Sequence, residues 1–171
     1  MYATVAILAA LRHADQTGQG QHIDLALLDT QVAMIANLGA NYLISGQVPG
    51  RAGNAHQNLV PYQVFEVSPN TEGHKEHIIL AIGNDTQFAK FCHVAQRPDL
   101  SHDSRFASNA DRVRNRTVLI PILDKLMQTR SKQAWLQALE QAQVPCGAIN
   151  NLAEALTDPQ VTHRNMVDTW T

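Results

Sequence analysis

The run Gly53-Asn54-Ala55-His56-Gln57-Asn58-Leu59-Val60-Pro61-Tyr62-Gln63-Val64-Phe65 decides how this chain is read. A glycine precedes a polar turn, a Pro-Tyr pair follows, and an apolar strand then begins. The turn holds too few apolar residues to be core. Backbone amides and amide side chains on the rim of a rigid element suit a ligand-facing loop. The whole segment from Gly46 to Tyr62 lacks periodicity, and loops of that length are functional or are linkers. This one is read as both: a candidate binding loop and the point where the chain leaves one domain for another.

The bulk composition narrows the function classes. Hydrophobic residues make up 44% of the 171 and charged residues 16%, so the chain can build a core and is not a disordered polymer. The net charge of -2 gives no electrostatic case for nucleic acid, which calls for a clustered basic face. Cys92 and Cys146 lack metal or redox spacing, so free thiols in a reducing, cytoplasmic compartment are expected. The apolar stretch from Met1 to Leu11 has no basic region before it and runs into Arg12, His13 and Asp15, unlike an export signal. No apolar run approaches the roughly 20 residues of a membrane helix.

Outward from the loop, the pattern alternates helix and strand. Tyr2 to Gln16 reads as a helix without an N-cap, ended by Thr17-Gly18-Gln19-Gly20. An apolar helix that starts uncapped looks cut from something longer. His22 to Leu27 alternates as a short strand, and Asp29 or Thr30 is placed to cap a helix running to about Ser45. Helix, turn, strand and helix make half of an α/β unit, whose lone strand must dock on others.

Beyond the loop, Gln63 to Val67 and His77 to Gly83 read as strands joined by a tip with Pro69, Asn70 and Gly73. That tip is expected to be exposed and mobile. Asp85 is placed to cap a helix through Phe88, Phe91 and Cys92. Pro98 to Phe106 reads as irregular, and Ala110 to Gln128 as one helix. Ser131 caps another helix, with Trp135 and Leu139 inward. Val144 to Ile149 reads as an edge strand, Asn151 to Leu156 as a last helix, and Val161 to Thr171 as an unstructured tail.

Several chemistries are weighed and set aside. His74 and His77 flank the tip beside Glu72 and Glu76, but that spacing on a hairpin diverges and a zinc site needs three or four converging ligands. No metal is expected. No Gly-x-Ser-x-Gly elbow, Walker A sequence or dinucleotide fingerprint is present. Cys92 and Cys146 are read as packing thiols. Arg112, Arg114 and Arg116 form a basic stretch in which Arg112 and Arg116 share a face. They could meet phosphates, yet a solvated helix face is the preferred account.

The motifs together resemble the family III CoA-transferases, the CaiB/BaiF-like group. The resemblance rests on Thr17-Gly18-Gln19-Gly20 with the following Ile23-Asp24-Leu25, and on Gly53-Asn54 with Pro61-Tyr62-Gln63-Val64-Phe65. Ile82-Gly83-Asn84-Asp85, Arg105-Phe106 with Asn109, Arg112 and Arg116, and Val144-Pro145-Cys146-Gly147-Ala148-Ile149 complete it. The motifs follow one another in order over nearly the whole chain.

The resemblance implies an α/β fold: a small α/β domain, a short sheet with packed helices, plus a helix–strand–helix slice of a Rossmann-like large domain. Residues 1–45 would belong to the large domain and 46–62 to the interdomain and active-site loop. Residues 63–165 would form the small domain and 166–171 the start of a return to the large one. It implies transfer of CoA between an acyl-CoA and a carboxylic acid through an enzyme-aspartyl intermediate. A loop closes over the reactive anhydride in that family. The loop residues Gly53, Asn54, His56, Gln57, Asn58, Pro61 and Tyr62 are the substrate and CoA candidates.

The nucleophilic aspartate is expected upstream of Met1, since Asp15, Asp24 and Asp29 do not match its position. No catalytic residue is therefore assigned within the chain, and inactivity of the chain alone is expected. Coenzyme A enters as a thioester substrate, with no permanently bound cofactor. A small carboxylic acid, with a lean toward dicarboxylates, and a second copy of the chain in a homodimer are the implied partners. A 2-methylacyl-CoA racemase-like activity and a non-catalytic assembly module are the alternatives.

Overall fold

The computed structural model describes residues 1–168; the expected return to a large domain falls partly on 169–171, outside the described residues. The chain divides into two compact units, Met1–Arg51 and Ala52–Thr171.

The first unit is helical. Helix α1 spans Tyr2–Thr17 and has no side-chain N-cap. It ends at Gly18, whose φ of 73° is the left-handed conformation glycine adopts without strain; the Gly18 N–H donates to Ala14 O. The expected strand at His22–Leu27 does not form. Residues 21–26 carry no regular structure, because a strand needs a neighbour to answer its backbone groups and no described segment pairs with it. Helix α2 (Leu27–Met34) therefore starts earlier than expected, with Ala26 at the cap position instead of Asp29 or Thr30. A break at Ile35 separates it from α3 (Ala36–Ser45), and Ala36 takes a φ of 36° there. Gly46 closes α3 in the left-handed region. No residue of these helices is buried, and Leu27, Leu43 and Ile44 stand more than four-fifths exposed.

The second unit holds the core. Strands β1 (Tyr62–Glu66) and β2 (His77–Ala81) pair antiparallel with Val64 opposite Ile79, and β3 (Cys146–Ala148) pairs antiparallel with β2. The sheet order is β1-β2-β3, so β3 lies at an edge as its Val-Pro approach suggests. Alternation puts Ile78 and Leu80 of β2 inward with Phe65 of β1. The tip between β1 and β2 is exposed but hydrogen-bonded. Asn70 Oδ1 accepts from the Glu72 and His74 N–H groups, and Gly73 takes a φ of 81°.

Helices cover the inner face. Helix α4 (Asp85–Val94) is capped by Asn84, not Asp85: Asn84 is extended, and its side chain accepts from Gln87 N at 2.9 Å. A short α5 (Asp99–His102) occupies part of the segment read as irregular. The helix expected across 110–128 is two, α6 (Asn109–Arg114) and α7 (Arg116–Met127). Asn115 breaks it by bonding Arg105 O and Asp111 O through its side chain, both at 3.0 Å. Helix α8 (Lys132–Gln141) starts at the Ser131 cap. Helix α9 (Leu152–Leu156) begins with an Asn151–Glu154 capping box. The segment expected as a tail carries α10 (Pro159–His163), capped by Asp158 with proline at its start.

Phe88 and Phe91 of α4, Leu119, Leu123 and Met127 of α7, and Trp135 and Leu139 of α8 close over the sheet as one apolar cluster. The buried Trp135 indole N–H donates to Met127 O at 2.7 Å, so its polar atom is satisfied. Among the described residues, no helix is long and apolar enough to cross a membrane.

Candidate functional site

The loop that opens the second unit is shaped by its own short-range bonds. Gly53 has a φ of 61°, and nothing lies within 4 Å of where a Cβ would stand, so its glycine is explained by backbone conformation and not by crowding. Asn54 Oδ1 accepts from Val64 N at 3.0 Å, tying the loop's start to β1. His56 N–H donates to Tyr62 O at 2.8 Å, and the His56 and Tyr62 rings stack with centroids 5.2 Å apart. Asn58 N–H donates to His56 Nδ1 at 3.0 Å. A backbone N–H can only donate, so Nδ1 carries no proton and the neutral ring holds its proton on Nε2. The Val60–Pro61 peptide is cis, and both residues are buried at the loop's exit.

Helices α6 and α7 grip this loop from below. Asn109 Oδ1 accepts from Val60 N at 3.1 Å, while its Nδ2 donates to Asn58 O at 2.8 Å. Arg112 Nε donates to Val60 O at 2.7 Å, Nη1 to Phe106 O at 3.0 Å and Nη2 to Asp85 Oδ1 at 2.8 Å. Its guanidinium lies over the Phe88 ring at 4.4 Å. Arg116 Nη2 donates to both His56 O and Gln57 O at 2.8 Å.

These contacts correct the reading of Arg112 as part of a solvated face. Arg112 is fully buried, because carbonyls, a carboxylate and an aromatic face together replace its hydration. Every one of its nitrogens is engaged, which removes it as a phosphate ligand. The sequence reading missed Asn109 and Arg116 as holders of the loop. The available signal was their spacing: Asn109, Arg112 and Arg116 recur at i, i+3 and i+7.

Gly53, Asn54, His56, Asn58, Pro61 and Tyr62 thus meet in one turn, with Gln57 contributing its carbonyl to the Arg116 contact. A concave feature lies elsewhere. A groove of about 700 Å³ runs between the hairpin tip and α8, lined by Asn70, Glu76, Lys132, Glu140 and Glu154 among others. Its glutamates repel an anionic ligand, and its one lysine already donates to Glu154 and to Ile149 O.

The thiols offer no nucleophile. Burial pushes the Cys92 thiol up to about 12, outweighing the nearby Arg112 charge. Burial, then the Glu140 carboxylate, raises that of Cys146. Among the described residues no group of three or more His, Cys, Asp or Glu could hold a metal ion. The His74 ring lies 3.4 Å from a Glu72 carboxylate oxygen.

The family model described as CoA-transferase family III matches residues 1–171. The chain belongs to that family. Its relatives fit the assignment. This family III chain is 43% identical over 166 residues to the succinate–glutarate CoA-transferase of Agrobacterium fabrum, covering 97% of the chain and 40% of that protein. It is 38% identical to the human succinyl-CoA:glutarate CoA-transferase, covering 98% of the chain and 37% of the relative. A crystal structure of a CAIB/BAIF family protein from Brucella suis superposes with a TM-score of 0.72 at 41% identity, covering 96% of this chain and 42% of that one. The family III chain therefore spans about 40% of the length of the curated relatives it matches.

Proposed function

We propose that this chain forms one wall of the active site of an acyl-CoA:carboxylate CoA-transferase. Coenzyme A moves between an acyl-CoA and a carboxylic acid through an enzyme-aspartyl intermediate, and the turn from Gly53 to Tyr62 faces the reacting groups. Residues 1–45 belong to the large domain, 46–62 to the loop and 63–165 to the small domain. Asn54, His56, Gln57, Asn58 and Tyr62 contact the ligand, with Gly53 and Pro61 setting the turn. The single observation that supports this most is the loop itself. It is polar at its apex, closed by a His56–Tyr62 stack and anchored at its exit by a buried arginine.

The acceptor is a small dicarboxylate, in keeping with the lean of the sequence and with the succinate and glutarate named for the relatives. The His56 tautomer suits that role: with Nδ1 engaged, the ring offers an Nε2–H donor to a carboxylate or thioester oxygen. No residue of the chain is assigned as the nucleophile, and Asp15, Asp24 and Asp29 are not put forward for it.

Isothermal titration of CoA and of glutarate into the 171-residue chain tests the proposal. Saturable heat, reduced by Tyr62→Ala, is expected, with no turnover of succinyl-CoA and glutarate. Turnover would place a nucleophile inside the chain. Heat that Tyr62→Ala leaves unchanged would remove the loop from the site.

A further inference from the structure

The side chains of Asn109, Arg112 and Arg116 share one property: each bonds the main chain of the loop. Asn109 takes the Val60 N–H and gives to Asn58 O. Arg112 gives to Val60 O. Arg116 gives to His56 O and Gln57 O. The partners sit 49 to 60 residues further along the chain. The path of the backbone from 56 to 60 is thus held by α6 and α7 as well as by the loop's own His56–Asn58 and His56–Tyr62 bonds. A loop without regular structure must satisfy its carbonyls and amides somehow, and here the satisfaction comes from side chains built into neighbouring helices.

Arg116 has a distinct place in this set. Asn109 and Arg112 hold the loop's exit, next to buried Val60 and Pro61, where packing already fixes the chain. Asn109 also gives to Asn58 O, and Arg116 reaches further, to His56 and Gln57, which are only partly buried. One of its nitrogens bridges two successive carbonyls, which sets the orientation of the two peptide planes that meet at the Gln57 Cα. Those planes determine where the Gln57 side chain projects.

We propose that Arg116 is a positioning residue for the ligand-facing apex. It clamps the His56 and Gln57 carbonyls, so that the side chains at 56 and 57 are presented from a held backbone. This rests on the reading of the loop as the ligand wall. It makes Arg116 responsible for geometry at the apex.

The test combines amide hydrogen exchange with CoA titration on the full chain. In Arg116→Met, exchange at the Asn58 amide is expected to accelerate roughly tenfold or more, the ratio set by losing a charged donor. Exchange in β1 and β2 and at the Val60 amide, held by Asn109, stays as it was, and the CoA heat falls. Arg116→Lys keeps a charged donor and restores part of both. Gln57→Ala, which keeps both carbonyls, leaves exchange at Asn58 unchanged while altering the heat. Arg97→Met, whose native partner is Asp99 on α5, changes neither.

Unchanged exchange in Arg116→Met overturns the clamp whatever the titration gives. Faster exchange with undiminished CoA heat overturns the positioning role. Absence of any CoA heat in the unaltered chain would instead defeat the ligand-wall reading, with the exchange arm still deciding the clamp. If Arg116→Met does not fold, the partial restoration in Arg116→Lys and the Gln57→Ala comparison carry the decision.

Discussion

Replacing Arg112 by Met should be strongly destabilising, and the magnitude follows from its contacts. The substitution removes donors to Val60 O, Phe106 O and Asp85 Oδ1. Val60 is 2% exposed and Phe106 fully buried, so water cannot replace the lost donors. Two stranded carbonyls cost about 1–3 kcal/mol each. The stack on Phe88 adds about 1–2 kcal/mol. Methionine recovers some of this, because it fills much of the volume and carries no charge to desolvate. The net loss should be about 3–5 kcal/mol. Asp85 gives the contrast. Its side chain is 56% exposed, and Asp85→Asn keeps an acceptor in place, so screening limits that loss to about 1 kcal/mol. Urea unfolding followed by Trp135 fluorescence, in a Trp170→Phe background, measures both. An Arg112→Met loss below about 1 kcal/mol would refute the carbonyl-network reasoning. So would an Asp85→Asn loss equal to that of Arg112→Met, since the ion pair and not the loop carbonyls would then be the source. A typical domain has about 5–15 kcal/mol in total, so Arg112→Lys is the companion variant should the methionine form not fold.

Two further outcomes follow from the ionisable groups. Arg105 holds the Asp103 carboxyl down at about 2, through its side chain first and its backbone N–H second. A depressed folded-state pKa gives stability that is present above the unfolded value of about 3.9 and lost as pH falls through about 2. The urea-midpoint difference between the chain and Asp103→Asn should therefore shrink across that window, and a flat or growing difference would contradict it. Cys92, with its thiol pushed up to about 12 by burial, should resist iodoacetamide at pH 8 until the second unit unfolds, with Cys146 modified first. Mass spectrometry that finds Cys92 alkylated before Cys146 would show the core to be open.

What could be read from sequence was what is decided locally. Gly18 ends α1 because a left-handed residue is needed there, and Ser131 starts α8 because its hydroxyl can take the Ala134 N–H. Strands β1 and β2 showed in their apolar patterning. Some failures were local, such as the Asn84 cap of α4, but the main ones depended on a partner further off in sequence. His22–Leu27 alternates like a strand, but alternation does not supply a neighbour. The break at Asn115 is invisible to periodicity, because it depends on a side chain turning back to Arg105 O ten residues away. Arg112 was read as solvated because charge runs usually are, while its partners Val60 and Asp85 stand 52 and 27 residues off. For the site, the loop was legible as a polar turn with a glycine and Pro-Tyr. The helices that hold it were not, since nothing in a pattern of Asn and Arg residues says which carbonyls they will meet.

That asymmetry bears on how the loop can work. Burial differs between its exit and its apex: Val60 and Pro61 are buried, His56 and Gln57 half-buried, and Asn58 exposed. Segments with few buried contacts open at low free-energy cost, whereas those tied to a core open only with the whole unit. The exit, held by a fully buried guanidinium, is bound to the stability of the sheet and of α4. The apex is bound to it through the Arg116 donor, the Asn109 amide, the His56 N–H to Tyr62 O bond and the His56–Tyr62 stack. A ligand meeting His56, Gln57 and Asn58 therefore acts on the part of the loop least tied to the core, while the fold that carries the loop stays fixed. Polar residues at the apex and a buried arginine at the exit are two ends of one mechanical arrangement.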